Sequence, residues 1–70
     1  MIMSIRDSVE YRELTPYLAV GYAEGFEQAD SDEQVLAAWQ YIYDKCIYHT
    51  LQGFFGRTIA RMLVSGEIEK

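Results

Sequence analysis

The sequence has almost none of the residues that give a small domain covalent or metal-based support. Its 70 residues include one Cys, Cys46, and one His, His49. A single Cys excludes an internal disulfide framework. One Cys and one His are also too few for a Cys/His zinc site. We therefore expect a fold that rests on packing and hydrogen bonds, with no metal and no other cofactor.

Long apolar runs are missing as well. No stretch approaches the roughly 18 to 20 apolar residues of a membrane-spanning helix. The first residues contain no apolar segment of the kind found in signal peptides. We expect a protein without a membrane partner that resides in the cytoplasm, where a lone thiol stays reduced.

Basic residues are scarce in the first part of the chain. Residues 1–44 contain nine acids and two Arg, a net charge of −7, whereas residues 45–70 contain four bases and two Glu, a net charge of +2. This balance argues against direct nucleic-acid binding, which needs Lys and Arg to displace counterions. A run of acids without a base fits either a solvated loop or a surface that meets a basic protein. The run consists of Glu24, Glu27, Asp30, Asp32 and Glu33.

Signals for the starts and ends of helices punctuate the chain. Capping residues precede the first two of three apolar segments, and glycines suited to left-handed caps follow the first and the third. These residues are Ser31 with Gln34, Thr15 with Pro16, Gly25, and Gly66. With the apolar spacing, they predict an all-α fold, a small three-helix domain with helices at about 16–24, 31–45 and 47–65.

The whole chain, 1–70, is predicted to form one domain. Residues 16–66 make the helical core, residues 1–15 a weakly defined N-terminal extension, and residues 67–70 a tail. A fourth helical turn, capped by Ser4, is an alternative within the extension. One apolar stripe on the second helix is predicted to face the core, with residues Val35, Trp39, Ile42 and Cys46.

The last predicted helix carries a second face of small and polar residues. This face consists of His49, Gln52, Gly53, Gly56, Arg57 and Ala60. Two glycines inside a helix cost about 1 kcal/mol each relative to Ala, so a close contact is expected to offset them. Three alternatives stay open: tight packing within the chain, self-association into a homo-oligomer, or a groove for a ligand or partner.

Six tyrosines are more than so small a core is expected to hold. Tyr is favoured at protein interfaces because it covers area at low entropic cost and brings a hydroxyl group. We therefore predict a partner-binding surface, or a homodimer seam, made of exposed Tyr and neighbouring acids. Its candidate residues are Tyr17, Tyr22, Glu24, Glu27, Asp30 and Tyr41.

Catalytic patterns are weak. Cys46 and His49 lie three residues apart, which would make them neighbours on a continuous helix. However, the sequence offers no third group to orient the imidazole. The apolar stripe of the second helix also predicts that the Cys46 thiol is buried. Arg57 can hold an anion beside the glycines or pair with an acid such as Glu24 or Asp44. We predict no enzyme and no catalytic residue.

Three segments share a pattern with known sequences: residues 31–35 (Ser-Asp-Glu-Gln-Val), 38–42 (Ala-Trp-Gln-Tyr-Ile) and 51–58 (Leu-Gln-Gly-Phe-Phe-Gly-Arg-Thr). In this pattern the chain resembles a set of short, uncharacterised proteins encoded by bacteriophages. Those proteins have an acidic capped helix, a turn that usually contains Gly, and a second helix led by the last of these segments. The likeness covers roughly residues 22–66. It implies a helical fold and a phage source, but it implies no catalysed reaction.

The resemblance implies a non-enzymatic phage accessory protein in the cytoplasm of the infected host cell. We expect it to bind a host macromolecule, such as a defence or nucleic-acid-processing protein, and to inhibit it by occlusion. Two alternatives stay open. One is an oligomeric protein that sequesters a small anionic ligand such as a nucleotide, and the other is an acidic mimic of DNA.

Overall fold

The computed structural model describes residues 4–51 and 53–70. These residues form helices and turns and no β-strand, which confirms the all-α class. The elements are a 3₁₀ helix at Ile5–Asp7, α1 at Val9–Arg12, α2 at Pro16–Glu24, α3 at Asp32–Asp44, a second 3₁₀ helix at Ile47–Thr50 and α4 at Gly53–Ser65.

α2 begins and ends where the sequence predicts. The Thr15 hydroxyl accepts a hydrogen bond from the Leu18 N–H (3.2 Å), and Pro16 is the first helical residue. At the other end Gly25 has φ 86°, and its N–H donates to the Gly21 carbonyl (2.9 Å). Side chains disfavour this left-handed conformation, so a glycine there allows the chain to reverse direction.

α3 is also capped by Ser31 as predicted, and the side chain of Gln34 adds a second hydrogen bond at the same end. The Ser31 hydroxyl accepts a hydrogen bond from the Gln34 N–H (3.3 Å). The Gln34 side-chain oxygen accepts from the Asp30 N–H (2.7 Å) and not from that of Ser31. Asp32 and Glu33 occupy the first turn, where the helix dipole favours acids. Side-chain caps and acids together determine where α3 begins.

The prediction of one continuous helix over 47–65 is wrong in its first part. Cys46 adopts a left-handed conformation (φ 57°), and Leu51 is extended (φ −106°, ψ 174°). These two residues set the second 3₁₀ helix apart, and α4 begins only at Gly53. One helical wheel therefore cannot relate the residues before Leu51 to those after it.

The prediction that Cys46 is buried beside Trp39 and Ile42 is also wrong. α3 ends at Asp44, and the left-handed turn at Cys46 takes this residue off the apolar stripe. The thiol is exposed, whereas Trp39 and Ile42 are buried and Val35 is half-buried. The predicted stripe therefore extends past the end of the helix.

The core is centred on α3. Ala19 on α2, and Ala37 and Ala38 on α3, have no exposed surface. Such small side chains let the two helices approach closely. α4 contributes Phe55, whose ring centre lies 5.4 Å from that of Trp39. The remaining buried apolar side chains are Leu14, Ile42, Ile59, Met62 and Ile68.

Residues 67–70 are not a free tail. The chain turns at Gly66 (φ 83°), as predicted, and the N–H groups of Glu67 and Ile68 both donate to the Met62 carbonyl (3.0 and 3.4 Å). The turn inserts Ile68 into the core, where only 3% of its surface stays exposed.

The predicted extension, 1–15, is folded wherever the structure describes it. Ser4 and Ser8 each cap the short helix that follows by accepting a backbone N–H, at 3.2 Å in both cases. Leu14 joins the core. The helical turn predicted as an alternative is therefore present as the first 3₁₀ helix and α1, while residues 1–3 lie outside the described residues.

Ile68→Ala is expected to lower the free energy of unfolding by about 2 to 4 kcal/mol, because it leaves a cavity at a buried site. Val64→Ala is the matched control. Val64 is 91% exposed, so its truncation is expected to change the free energy by less than about 0.5 kcal/mol. Urea unfolding followed by circular dichroism measures both. Equally small effects would mean that residues 67–70 are a tail after all.

Candidate functional site

A partly buried polar cluster joins the two ends of the described chain. Asp44, at the end of α3, accepts hydrogen bonds from Arg6 Nε (2.7 Å) and Nη2 (2.8 Å). It also accepts from the Tyr11 hydroxyl (2.8 Å) and from Gln40 Nε2 (3.1 Å). The Asp44 side chain keeps 15% of its exposure. Charge-assisted bonds of this kind are among the stronger ones in proteins.

Glu69 completes the cluster from the other end of the chain. Its carboxylate accepts from the Ser4 hydroxyl (2.9 Å) and from the Ile5 N–H (3.1 Å). The Gln40 side chain accepts the Glu69 N–H (2.6 Å) and donates to the Glu69 carbonyl (2.7 Å). Gln40 has no exposed surface, so water does not compete for these bonds. We call the cluster the clasp; its residues are Ser4, Arg6, Tyr11, Gln40, Asp44 and Glu69.

The clasp shifts the pKa values of its members. Burial alone would raise the pKa of Asp44, but the hydrogen bonds that it accepts outweigh burial and lower the pKa. Burial, and then the bond to Asp44, raises the pKa of Tyr11 to about 12. The pKa of Glu69 is lowered by the backbone N–H and the hydroxyl that donate to it. Each group therefore keeps one protonation state near neutral pH, which suits a structural role better than proton transfer.

The clasp is not visible in the sequence. Its members are scattered between positions 4 and 69, and no local spacing relates them. The one available signal is Gln40, a polar residue among the buried positions of α3, four residues before Asp44. A buried amide requires partners, but the sequence does not say which segment supplies them.

An apolar groove bordered by acids lies along α2. One side of the groove is a single face of α2, because its residues are spaced three or four positions apart along the helix. These residues are Pro16, Tyr17, Val20, Gly21 and Glu24. Phe26 and Glu27, from the loop after α2, form the other side. The groove has a volume of about 400 Å³. We call it the α2 groove.

Two glycines shape the α2 groove. The reversal at Gly25 brings the Glu27 N–H to the Gly21 carbonyl (3.2 Å), which also accepts the Gly25 N–H (2.9 Å). A Cβ on residue 21 would lie 2.7 Å from Glu27 Cγ and 3.3 Å from its Cβ. The loop can therefore pack on the helix only because residue 21 has no side chain.

Tyr17 and Phe26 stand on either side of the groove with 76% and 82% of their surfaces exposed. Glu24 and Asp30 are exposed, and Glu27 is half-buried. The sequence pointed to four of these five residues and missed Phe26. The available signal was its position directly after the predicted stop at Gly25, in an acidic linker.

Two predicted members of the partner-binding surface pack against the fold and do not line the groove. Tyr22 and Tyr41 are both half-buried and lie against the core. The Tyr41 ring centre lies 5.7 Å from that of Tyr11, and Lys45 Nζ lies 5.7 Å from the Tyr41 ring centre. Tyr22 and Tyr41 are thus only partly covered by the fold, and their part in a partner-binding surface stays a prediction.

The predicted face of small and polar residues does not form one helical surface. His49 is exposed on the separate 3₁₀ helix, with its ring centre 4.3 Å from that of Tyr48. Gln52 lies outside the described residues. Gly53, Arg57 and Ala60 are exposed, and Gly56 is partly exposed.

Close packing of these glycines within the chain is contradicted by the structure. Among the described residues, a Cβ on Gly56 would meet nothing within 4 Å, and one on Gly53 would meet only Nη1 of Arg57, on the same helix (3.3 Å). Arg57 is exposed, and Asp44, one of its predicted acidic partners, is held by Arg6 instead. Self-association through this face and a groove for a ligand or partner stay predictions.

Comparisons and other kinds of site add no assignment. Within residues 4–51 and 53–70, no group of three or more His, Cys, Asp or Glu is placed to hold a metal ion. No helix in that part of the chain has the length and apolar character needed to cross a membrane. Comparison of the chain with protein families, curated proteins and solved structures finds no match. The comparisons therefore assign no role to the clasp or to the α2 groove.

Asp44→Asn is expected to lower the free energy of unfolding at pH 7 by about 1 to 3 kcal/mol, because it weakens charge-assisted hydrogen bonds. Folding lowers the pKa of Asp44 and Glu69 from 3.8 and 4.5. Their contribution is thus present above those values and lost as the pH falls through the folded-state pKa values. Wild type should lose stability below about pH 4.5, and Asp44→Asn should lose less.

The raised pKa of Tyr11 predicts a second loss of stability, the alkaline limb of the profile of stability against pH. The pKa of Tyr11 rises from 10.0 to about 12 on folding, so its contribution is complete below pH 10.0 and is lost as the pH rises toward about 12. Tyr11→Phe should flatten that limb. Urea titrations from acid to alkaline pH measure both limbs. An Asp44→Asn profile parallel to that of wild type at acid pH would contradict the role given to the clasp.

Gly56→Ala is expected to raise the free energy of unfolding by roughly 0.5 to 1 kcal/mol, because the position is helical and a Cβ there meets open space. Gly66→Ala is the contrasting variant. It forces a side chain into a left-handed conformation and should lower stability by about 1 kcal/mol. Thermal melts compare the two. Destabilisation by Gly56→Ala would contradict the open face described above.

Proposed function

We propose that this chain is a non-enzymatic, phage-encoded accessory protein that binds a host macromolecule and inhibits it by occlusion. The observation that carries the proposal is the α2 groove, where Tyr17 and Phe26 expose 76% and 82% of their surfaces beside Glu24. Large apolar side chains exposed together are typical of interaction sites. The phage source and the host target rest on the resemblance of residues 22–66.

The acidic segment that contains the groove supports a basic partner. Residues 13–44 contain seven acids and no Lys or Arg; the acids are Glu13, Glu24, Glu27, Asp30, Asp32, Glu33 and Asp44. Arg6 pairs with Asp44 in the clasp, which leaves six. A field of one sign attracts and orients an oppositely charged surface and speeds association.

The position of the groove suits a binding surface. α2 packs chiefly on α3. α3 carries Gln40 and Asp44, which anchor both ends of the described chain. A groove on a supported helix loses less conformational freedom on binding than a free loop would, and this favours affinity.

Capture from host-cell lysate tests the proposal. Immobilised wild type is expected to retain a specific protein, and Tyr17→Ala/Phe26→Ala to retain at least about 10-fold less of it. Val64→Ala is the matched control, because Val64 is 91% exposed but does not line the groove. Retention should fall as the salt concentration rises from about 0.05 to about 0.5 M. Added wild-type chain should inhibit the captured protein's activity.

Other results would change the assignment. Equal retention by wild type and the double variant would contradict the groove. A captured DNA-binding protein that is released by Glu24→Gln but not by the aromatic variants would support the acidic mimic of DNA instead. No retained protein at any salt concentration would contradict the binding role.

A further inference from the structure

The floor of the α2 groove offers a bound segment little to hydrogen-bond. The Gly21 carbonyl already accepts two N–H groups, from Gly25 and from Glu27. Around it lie the side chains of Pro16 and Val20, which are apolar. A segment in the groove therefore gains mainly by burying apolar surface there, and not by pairing with the backbone as an added β-strand does.

The walls and rim of the groove differ from its floor. Tyr17 and Phe26 form aromatic walls, and their exposure leaves large apolar surfaces for a partner to cover. The volume of about 400 Å³ lies at the small end of the range for ligand sites, so it suits one or two side chains and not a whole helix face. Glu24 and Glu27 border this space with carboxylates.

The charge of the rim determines the sign of the occupant. Glu24 is exposed, and no base occurs between Arg12 and Lys45. A carboxylate that a partner covers without pairing it is costly, because it loses hydration. Lys or Arg beside the buried apolar side chain removes that cost and adds attraction at long range.

From these observations we infer that the α2 groove binds a basic peptide segment. One apolar side chain of the segment lies between Tyr17 and Phe26, and flanking Lys or Arg side chains lie against Glu24 and Glu27. This inference rests on the proposed function and names the chemistry of the partner's docking segment. A second copy of this chain is the competing occupant, because α4 exposes Arg57 together with the apolar side chains of Phe54 and Val64.

Titration of the 15N-labelled full chain with short peptides tests the inference. The probe is a capped pentapeptide with Leu between two pairs of Lys, and the matched peptide has Ser in place of Leu. Saturable NMR shifts are expected at Val20, Gly21, Glu24 and Phe26. The Ser peptide should bind at least about 10-fold more weakly, since it lacks the buried side chain.

Variants of the chain test the contribution of charge. Glu24→Gln should weaken binding of the Leu peptide about 2- to 5-fold, as expected for an exposed ion pair. Glu13→Gln is the matched control, because Glu13 is also exposed and acidic but does not line the groove. It should change binding by less than about 1.5-fold.

Three outcomes would overturn the inference. Equal binding of the Leu and Ser peptides would mean simple counterion attraction. Shifts confined to residues outside the groove would place the site elsewhere. Groove shifts that depend on protein concentration before any peptide is added would identify a second copy as the occupant. If the peptides fail to bind but capture from lysate still depends on Tyr17 and Phe26, the inference is wrong and the proposed function stands. If the peptides bind as expected but no protein is captured from lysate, the proposed function is wrong and the peptide site stands.

Discussion

The carboxylate of Asp44 is the group on which the ends of this fold depend. It lies partly buried at the last turn of α3, where an unpaired charge would be costly. Arg6 and Tyr11 supply its partners, and they belong to two short helices without a fully buried residue. Ile5 and Tyr11 pack only partly against the core, so the clasp adds a polar attachment for those helices.

The α2 groove has the opposite character. Tyr17 and Phe26 leave large apolar surfaces in water, in a chain so short that it has little core to spare. Surface left exposed in this way contributes little to folding. The stability of the domain then rests more heavily on the buried alanines between α2 and α3, on Phe55 and Trp39, and on the clasp. This division of roles separates the part that folds the chain from the part that we propose as a binding surface.

Local signals explain which features could be predicted from the sequence. The bounds of α2 are correct because Thr15, Pro16 and Gly25 act within the helix and its caps. The start of α4 was missed because the extended conformation at Leu51 leaves no mark on the apolar spacing. The clasp was missed because its members meet only in three dimensions. In the groove, Tyr17 and Glu24 could be predicted from the excess of Tyr and the run of acids. The exposure of Phe26 could not, because it depends on how the loop packs on Gly21.

The hydrogen bond between the Ser4 hydroxyl and the Glu69 carboxylate joins residues 65 positions apart in the sequence. Ser4 and Glu69 are therefore neighbours in space, although almost the whole chain separates them. A pair of fluorophores attached beside these two positions would sit within a short distance of each other while the clasp is closed. Such a pair would report on the integrity of the fold from outside the α2 groove, without touching the proposed binding surface.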